Sequence, residues 1–220
     1  GFHGTSHRYV AKRVCDFLGV KPEEKKIITC HIGNGASIAA VDGGKCVDTS
    51  MGLTPLEGVM MGTRSGDIAG GAVAFLQKKL NLDADGISDL LNKKSGVLGI
   101  TQLSSDMREV ETACEKGDPK AILSMKMYNY RIKKYIGAYA AEMGGVDIIV
   151  FTAGVGENQW STRQEACEGL EFLGVKIDKE LNKGLRGVEK VISTADSKVT
   201  VCIIPTDEEL MIATDTMDLL

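Results

Sequence analysis

Residues 26–49 read Lys26-Ile27-Ile28-Thr29-Cys30-His31-Ile32-Gly33-Asn34-Gly35-Ala36-Ser37-Ile38-Ala39-Ala40-Val41-Asp42-Gly43-Gly44-Lys45-Cys46-Val47-Asp48-Thr49. The apolar run from Lys26 to Ile32 reads as a strand, and Gly33-Asn34-Gly35 breaks it. Ala36 to Val41 follows as a second strand, Asp42-Gly43-Gly44 as a tight turn and Lys45 to Thr49 as a third strand. This stretch is therefore a β-meander with a glycine-rich first turn, and it sets the frame for its neighbours. Upstream, Val10, Val14, Phe17 and Leu18 recur near helical period and Gly19 stops the pattern. Downstream, residues 50–67 hold Gly52, Pro55, Gly58, Gly62 and Gly66, an irregular stretch of the kind that carries function in compact domains.

Helical patterns then cover roughly 69–80, 85–94, 105–116 and 119–143. In the last of these Ile122, Met125, Tyr128, Ile132, Tyr135, Tyr139 and Met143 trace one face, and Pro119 sits in the first turn, where its missing N–H costs nothing. Asp147 to Thr152 is a nearly continuous apolar strand, as in a sheet covered on both faces. It runs into the loop Ala153-Gly154-Val155-Gly156-Glu157-Asn158, followed by a helix over about 160–173. A buried strand is expected at Val199–Ile204, and a last helix opens with Thr206 as N-cap and Glu209 completing a capping box. Meander, helical block and strand–loop–helix units together predict an α/β domain.

Composition narrows the function. A formal net charge of −4 leaves no basic footprint for nucleic acid, and Lys93-Lys94 and Lys133-Lys134 read as solvated helix faces. The longest uninterrupted aliphatic or aromatic run, Ile148 to Phe151, is far short of the roughly 20 residues a membrane helix needs. No basic, then apolar, leader is visible. The six cysteines contain no CxxC pair, which points to reduced thiols in the cytoplasm, with Cys30 and Cys202 as small core residues. The chain opens on Gly1 inside a dense polar motif, as expected of a segment of something longer.

Several strings carry candidate chemistry, each beside a plainer reading. Gly33-Asn34-Gly35 offers backbone amides that a phosphate can approach without a Cβ in the way, with His31 just upstream; Asn-Gly is equally a common hairpin turn. Gly154-Val155-Gly156 lies between a buried strand and a helix, where a nucleotide binds or a structural turn sits; it is neither GxGxxG nor a Walker loop. Arg64 stands between Gly62 and Gly66, a guanidinium presented to oxyanions or a surface arginine paired with Asp67. His3-Gly4-Thr5-Ser6-His7 is either a charge-stabilising cluster or a helix cap, and Ser105-Asp106-Met107-Arg108 is a binding segment or an N-cap. Glu208 is a magnesium-side carboxylate or an early-turn helix charge.

Taken together these strings resemble the acetate and propionate kinases. Gly1-Phe2-His3-Gly4-Thr5-Ser6-His7 looks like a family signature, His31 to Ser37 like its phosphate-binding hairpin, and Met61 to Asp67 like its active-site arginine loop. Ser105 to Arg108 and Phe151 to Asn158 are similar to its adenosine segments, and Pro205 to Glu209 to its C-terminal carboxylate motif, with Asp207 where asparagine is common. The resemblance implies the acetate and sugar kinase, Hsc70 and actin (ASKHA) superfamily, with a ribonuclease H-like nucleotide-binding domain. It implies transfer of the ATP γ-phosphoryl group to acetate, with ATP/ADP and Mg2+ as cofactors and propionate kinase as an alternative. A non-kinase ATPase, or a non-catalytic nucleotide-binding or dimerisation fragment, is the other reading. By resemblance His3 and Arg64 stabilise the transferring group, and His31, Asn34 and Gly35 meet the phosphates. Asp106, Met107, Arg108, Gly154, Val155, Gly156 and Asn158 line the nucleotide site, and Glu208 acts on the metal. Residues 1–206 would form the C-terminal nucleotide-binding domain, with 207–220 a terminal helix packed on an N-terminal domain not present here. The resemblance further implies a homodimer, and little activity without that upstream domain.

Overall fold

The computed structural model describes residues 1–220. Strand β1 (Lys26–Ile32) is central. It pairs antiparallel with β2 (Ala36–Asp42), from Lys26 opposite Asp42 to Ile32 opposite Ala36, and β2 pairs with β3 (Lys45–Thr49). On its other side β1 runs parallel to β4 (Ile148–Thr152), and β4 parallel to β6 (Thr200–Ile203). A short edge strand, β5 (Lys190–Val191), completes the order β3-β2-β1-β4-β6-β5. The meander thus stands as read, and the two apolar strands join it as parallel neighbours. Both parallel strands end, with β1, at the same edge of the sheet.

Side-chain alternation along β1 divides the molecule into two layers. Ile28, Cys30 and Ile32 face a large core shared with helix α6 (Pro119–Glu142), through Tyr128, Ile132 and Ile136. Each such side chain stabilises the fold by about 1.5–3 kcal/mol when fully buried. The opposite face of β1 carries Ile27, Thr29 and His31. Ile27 joins a smaller core with Val10 and Val14 of helix α1 (Gly4–Leu18), while Thr29 and His31 stay buried toward the strand's carboxyl end. That face therefore changes from apolar to polar where the parallel strands end.

Beyond the meander, α2 (Gly70–Leu80), α3 (Ala84–Lys93), α4 (Gly96–Thr101) and α5 (Met107–Glu115) form the helical block. Helix α4 is unforeseen, because its six residues contain two glycines. Asp118 caps α6, its carboxylate accepting from the N–H groups of Lys120 and Ala121, with Pro119 just inside.

Three expectations need correction. Residues Ala153–Asn158 form a helical turn, α7, rather than a loop, and helix α8 (Trp160–Cys167) stops well short of 173 because Glu168 is extended and Gly169 takes φ +87°. At the last helix, α10 (Glu208–Met217), the N-cap is Asp207, whose Oδ1 accepts from Leu210 N. Thr206 is engaged elsewhere, its hydroxyl bonding Ser6 at 2.8 Å, so the expected capping box does not form. A short helix α9 (Lys179–Asn182) also escaped the sequence pattern. No helix is long and apolar enough to cross a membrane.

Candidate active site

All three histidines meet where β1 ends and α1 begins. The His3 and His31 rings stack at 4.1 Å between centroids, and His7 stands 6.1 Å from His31. Two short hydrogen-bond chains hold them. Thr29 Oγ1 meets His7 Nδ1 at 2.7 Å, His7 Nε2 meets Ser37 Oγ at 2.7 Å, and Ser37 Oγ meets His3 Nδ1 at 2.8 Å. Separately, His31 Nδ1 bonds Ser6 Oγ at 2.8 Å, which continues to Thr206. Burial pushes the His7 and His31 imidazoles down to about 3, and neighbouring histidines add to the shift. His3 is also lowered, first by burial; Glu208 opposes the shift and Arg64 reinforces it. At neutral pH this is a cluster of neutral imidazoles. With Nδ1 of His3 and of His31 engaged, their Nε2 atoms are left for a ligand.

The Gly33–Gly35 turn lies against this cluster, closed by Gly33 N donating to Gly35 O at 3.0 Å. A Cβ built on Gly35 would stand 3.5 Å from Arg64 Nη1 and 3.6 Å from His3 Nε2. The guanidinium and the imidazole therefore converge on one bare stretch of backbone. The Arg64 loop docks there because Gly62 N donates to Asn34 O at 3.1 Å, and because Gly62 has no Cβ, which would fall 2.1 Å from Asn34 Oδ1. Arg64 is not the surface partner of Asp67. That carboxylate accepts from Gly58 N at 2.8 Å and from the Tyr135 hydroxyl at 2.6 Å, while the Arg64 guanidinium reaches only Met61 Sδ at 3.7 Å. An arginine held by glycine backbone and free of any carboxylate is suited to an incoming oxyanion.

A pocket of about 640 Å³ opens beside the turn, lined by Gly33, Asn34, Ser105, Asp106, Met107, Arg108, Glu111, Gly154, Val155, Asn158, Gln159 and Arg186. It brings together seven sequence-predicted residues: Asn34, Asp106, Met107, Arg108, Gly154, Val155 and Asn158. His31 and Gly35 belong to the histidine–arginine centre instead. Gly156 lies behind the pocket wall, where a Cβ would come 3.4 Å from the Phe151 carbonyl carbon and 3.5 Å from Cys30 O, so its role is close packing. Asp106 does cap α5, accepting from Arg108 N, and Arg108 folds back on it with 3.0 Å and 2.5 Å bonds that pull the carboxyl down to about 2. Asn158 donates along its own helix to Gly154 O. Ser105 lines it too, as the first residue of the adenosine-like segment, whereas Glu111, Gln159 and Arg186 were missed. Only Arg186 carried a signal, since Gly184 and Gly187 flank it much as Gly62 and Gly66 flank Arg64.

The pocket wall and the last helix are tied together. Glu157 Oε1 accepts from Ala153 N at 2.7 Å and from Thr206 N at 3.2 Å, joining the ends of β4 and β6. Glu208 follows two residues later and takes no salt bridge. No group of three or more His, Cys, Asp or Glu side chains is placed to hold a metal, so the chain builds no all-protein metal cage. One unpaired carboxylate beside donors fits a hydrated Mg2+ that is held mainly by phosphates.

The antiparallel meander continued by parallel strands, with a cleft at their carboxyl ends, is an ASKHA-type fold. The chain belongs to the acetokinase family, whose model matches residues 1–214. It is 71% identical over 220 residues to the acetate kinase of Phocaeicola vulgatus and 68% identical to that of Bacteroides thetaiotaomicron, covering 55% of each. It therefore spans about half the length of the curated relatives it matches. Among solved structures, Porphyromonas gingivalis acetate kinase superposes with a TM-score of 0.98 at 60% identity, over 99% of this chain and 55% of that one. A propionate kinase from Francisella tularensis gives 0.92 at 40% identity, over 100% and 56%.

Proposed function

We propose that this chain is the nucleotide-binding half of a cytoplasmic acetate kinase, which moves the γ-phosphoryl group of ATP to acetate. The observation that carries the reading is the convergence of His3 Nε2 and Arg64 Nη1 on the Gly35 backbone, next in the chain to Gly33 and Asn34, which line the 640 Å³ pocket. A nucleoside in the pocket sends its phosphates toward the glycine turn, where Asn34, Gly35 and His31 receive them. Arg64 and His3 then face the transferring group from the side of the turn. In-line phosphoryl transfer spreads negative charge over the equatorial oxygens, and positioned donors stabilise that charge. A carboxylate nucleophile is already ionised, so the site needs no general base, in keeping with its neutral imidazoles. Arg64 also orients the carboxylate. Glu208 would hold Mg2+ through water, and the ion would neutralise charge on the phosphates.

Propionate is the second reading for the carboxylate, favoured by the 40% identical propionate kinase; the 60–71% identical acetate kinases put acetate first. The acyl pocket is completed by the part of the polypeptide outside this chain, and 207–220 packs against that part. Leu210, Ile212 and Met217 of α10 are exposed and available for it. The second partner is another copy of the chain. Helix α2 buries no residue and leaves Phe75 and Leu80 in solvent. The deciding experiment is ADP release by the polypeptide with its upstream part restored, with and without acetate. Acetate-dependent release is expected; release indifferent to acetate means an ATPase.

A further inference from the structure

Thr29 lies on β1, on the face it shares with Ile27 and His31, and its side chain is fully buried. Valine has almost the same shape and would suit a buried strand without bringing a polar atom, so only the hydroxyl distinguishes threonine here. That hydroxyl has one hydrogen-bond partner, His7 Nδ1 at 2.7 Å. The Ser37 hydroxyl, also fully buried, has two, His7 Nε2 and His3 Nδ1. A hydroxyl supplies one hydrogen, and a neutral imidazole has one N–H and one bare nitrogen. Burial keeps His7 neutral. The hydrogens can therefore run along this chain in only two directions. In the first, Thr29 donates to His7 Nδ1, His7 Nε2–H donates to Ser37, and Ser37 donates to His3 Nδ1. Every polar atom is then satisfied, and the His3 proton resides on Nε2. In the second, His3 Nδ1–H donates to Ser37, Ser37 to His7 Nε2 and His7 Nδ1–H to Thr29. The Thr29 hydroxyl hydrogen then has no acceptor. A buried donor stranded in this way disfavours the second direction by about tenfold or more.

We propose that Thr29 is a positioning residue: through His7 and Ser37 it fixes the proton of His3 on Nε2, the nitrogen that stands against the Gly35 backbone. The inference rests on the role of His3 in the proposed function. With its proton on Nε2, His3 is a donor to a negatively charged oxygen. With the proton on Nδ1, the ring would present a lone pair to that oxygen and repel it. No charge on the ring is needed, so the donor persists in a neutral imidazole. His31 lacks this control. Its Nδ1 meets Ser6, which meets Thr206, and Thr206 is only half-buried, so its hydroxyl hydrogen can go to water and either direction is satisfied. The two stacked rings are set differently: His3 is fixed as a donor, and His31 is free to follow its ligand.

The test is heteronuclear NMR of nitrogen-labelled histidine rings in the polypeptide restored to the length of its relatives, at about pH 8, where an ordinary histidine is neutral. Wild type is expected to show His3 as a single tautomer, protonated on Nε2. Thr29→Val is expected to raise the Nδ1–H population about tenfold, and Thr29→Ser, which keeps the hydroxyl, to restore the wild-type ring. Ser37→Ala breaks the hydrogen-bond chain one step nearer His3 and is expected to give the same mixture, which keeps the inference testable if Thr29→Val does not fold. Acetate-dependent ADP release is expected to fall with the Nε2–H fraction through kcat, with KM for ATP nearly unchanged. His3 protonated on Nδ1 in wild type, or unchanged tautomer populations in every variant that folds, overturns the inference. The expected tautomer without acetate-dependent turnover overturns the proposed function and leaves the hydrogen-bond chain standing.

Discussion

His7 and His31 are imidazoles folded into the protein uncharged, and that has a consequence for acid stability. Their folded values lie near 3, below the 6.5 of an exposed histidine. Between these limits the unfolded chain takes up protons that the folded chain does not, so stability present above pH 6.5 is lost as the pH falls toward 3. Each histidine contributes at most about 1.4 kcal/mol per pH unit in that window. Urea midpoints measured from pH 7.5 down to about 5 are expected to fall, with His7 and His31 ring resonances that do not titrate above about pH 5. Resonances titrating near 6.5 would contradict the burial of the cluster. In the proposed reaction Arg64 bears on rate rather than folding. Arg64→Ala in an intact enzyme is expected to cut kcat by about 10²–10³ and leave the melting temperature nearly unchanged. Near-normal turnover would remove Arg64 from the reaction. At this level the sequence was informative where glycines isolate a chemical group, as at Arg64. It was silent at Gln159, between two helices, and at Glu111 within one, which reach the pocket only through the way α5, α7 and α8 pack.

Helix α6 shows how far periodicity carries. Tyr128, Ile132 and Tyr139 of the expected face are buried, yet the observed stripe is wider and takes in Ser124 and Asn129. The Tyr128 hydroxyl, deep in that stripe, has no hydrogen-bond partner. Tyr128→Phe removes a polar atom that is satisfied only when the chain unfolds, and the variant is expected to melt at or above wild type. A clear loss of stability would mean that a buried water serves the hydroxyl. The meander was legible because alternation, turn glycines and strand length agreed across 24 residues, 26 to 49. Helix α7 was not, because two glycines in six residues argue against a helix. What fixes it is tertiary: Gly156 must lie flat on Phe151 and Cys30, and Glu157 reaches back to Ala153 N and across to Thr206 N. Thr206 was misassigned for the same reason, its hydroxyl being taken by Ser6, 200 residues away in the chain.

For the whole molecule, several large apolar side chains stand in solvent. Phe75 and Leu80 of α2 are exposed, as are Met127 and Tyr130 of α6. If α2 is where two copies meet, Phe75→Glu is expected to shift the protein to monomer in analytical ultracentrifugation while leaving its far-UV spectrum unchanged. A dimer that survives this change would place the contact elsewhere. The central claim, that this chain is the nucleotide half of a carboxylate phosphotransferase, is tested most directly by trapping acetyl phosphate with hydroxylamine. The assay supplies ATP, Mg2+ and acetate to the 220-residue chain alone and to the chain rejoined to the remaining length that its relatives carry. Hydroxamate from the rejoined polypeptide, with little or none from the chain alone, is the expected result. ATP binding without hydroxamate from either, on acetate or propionate, would contradict the claim.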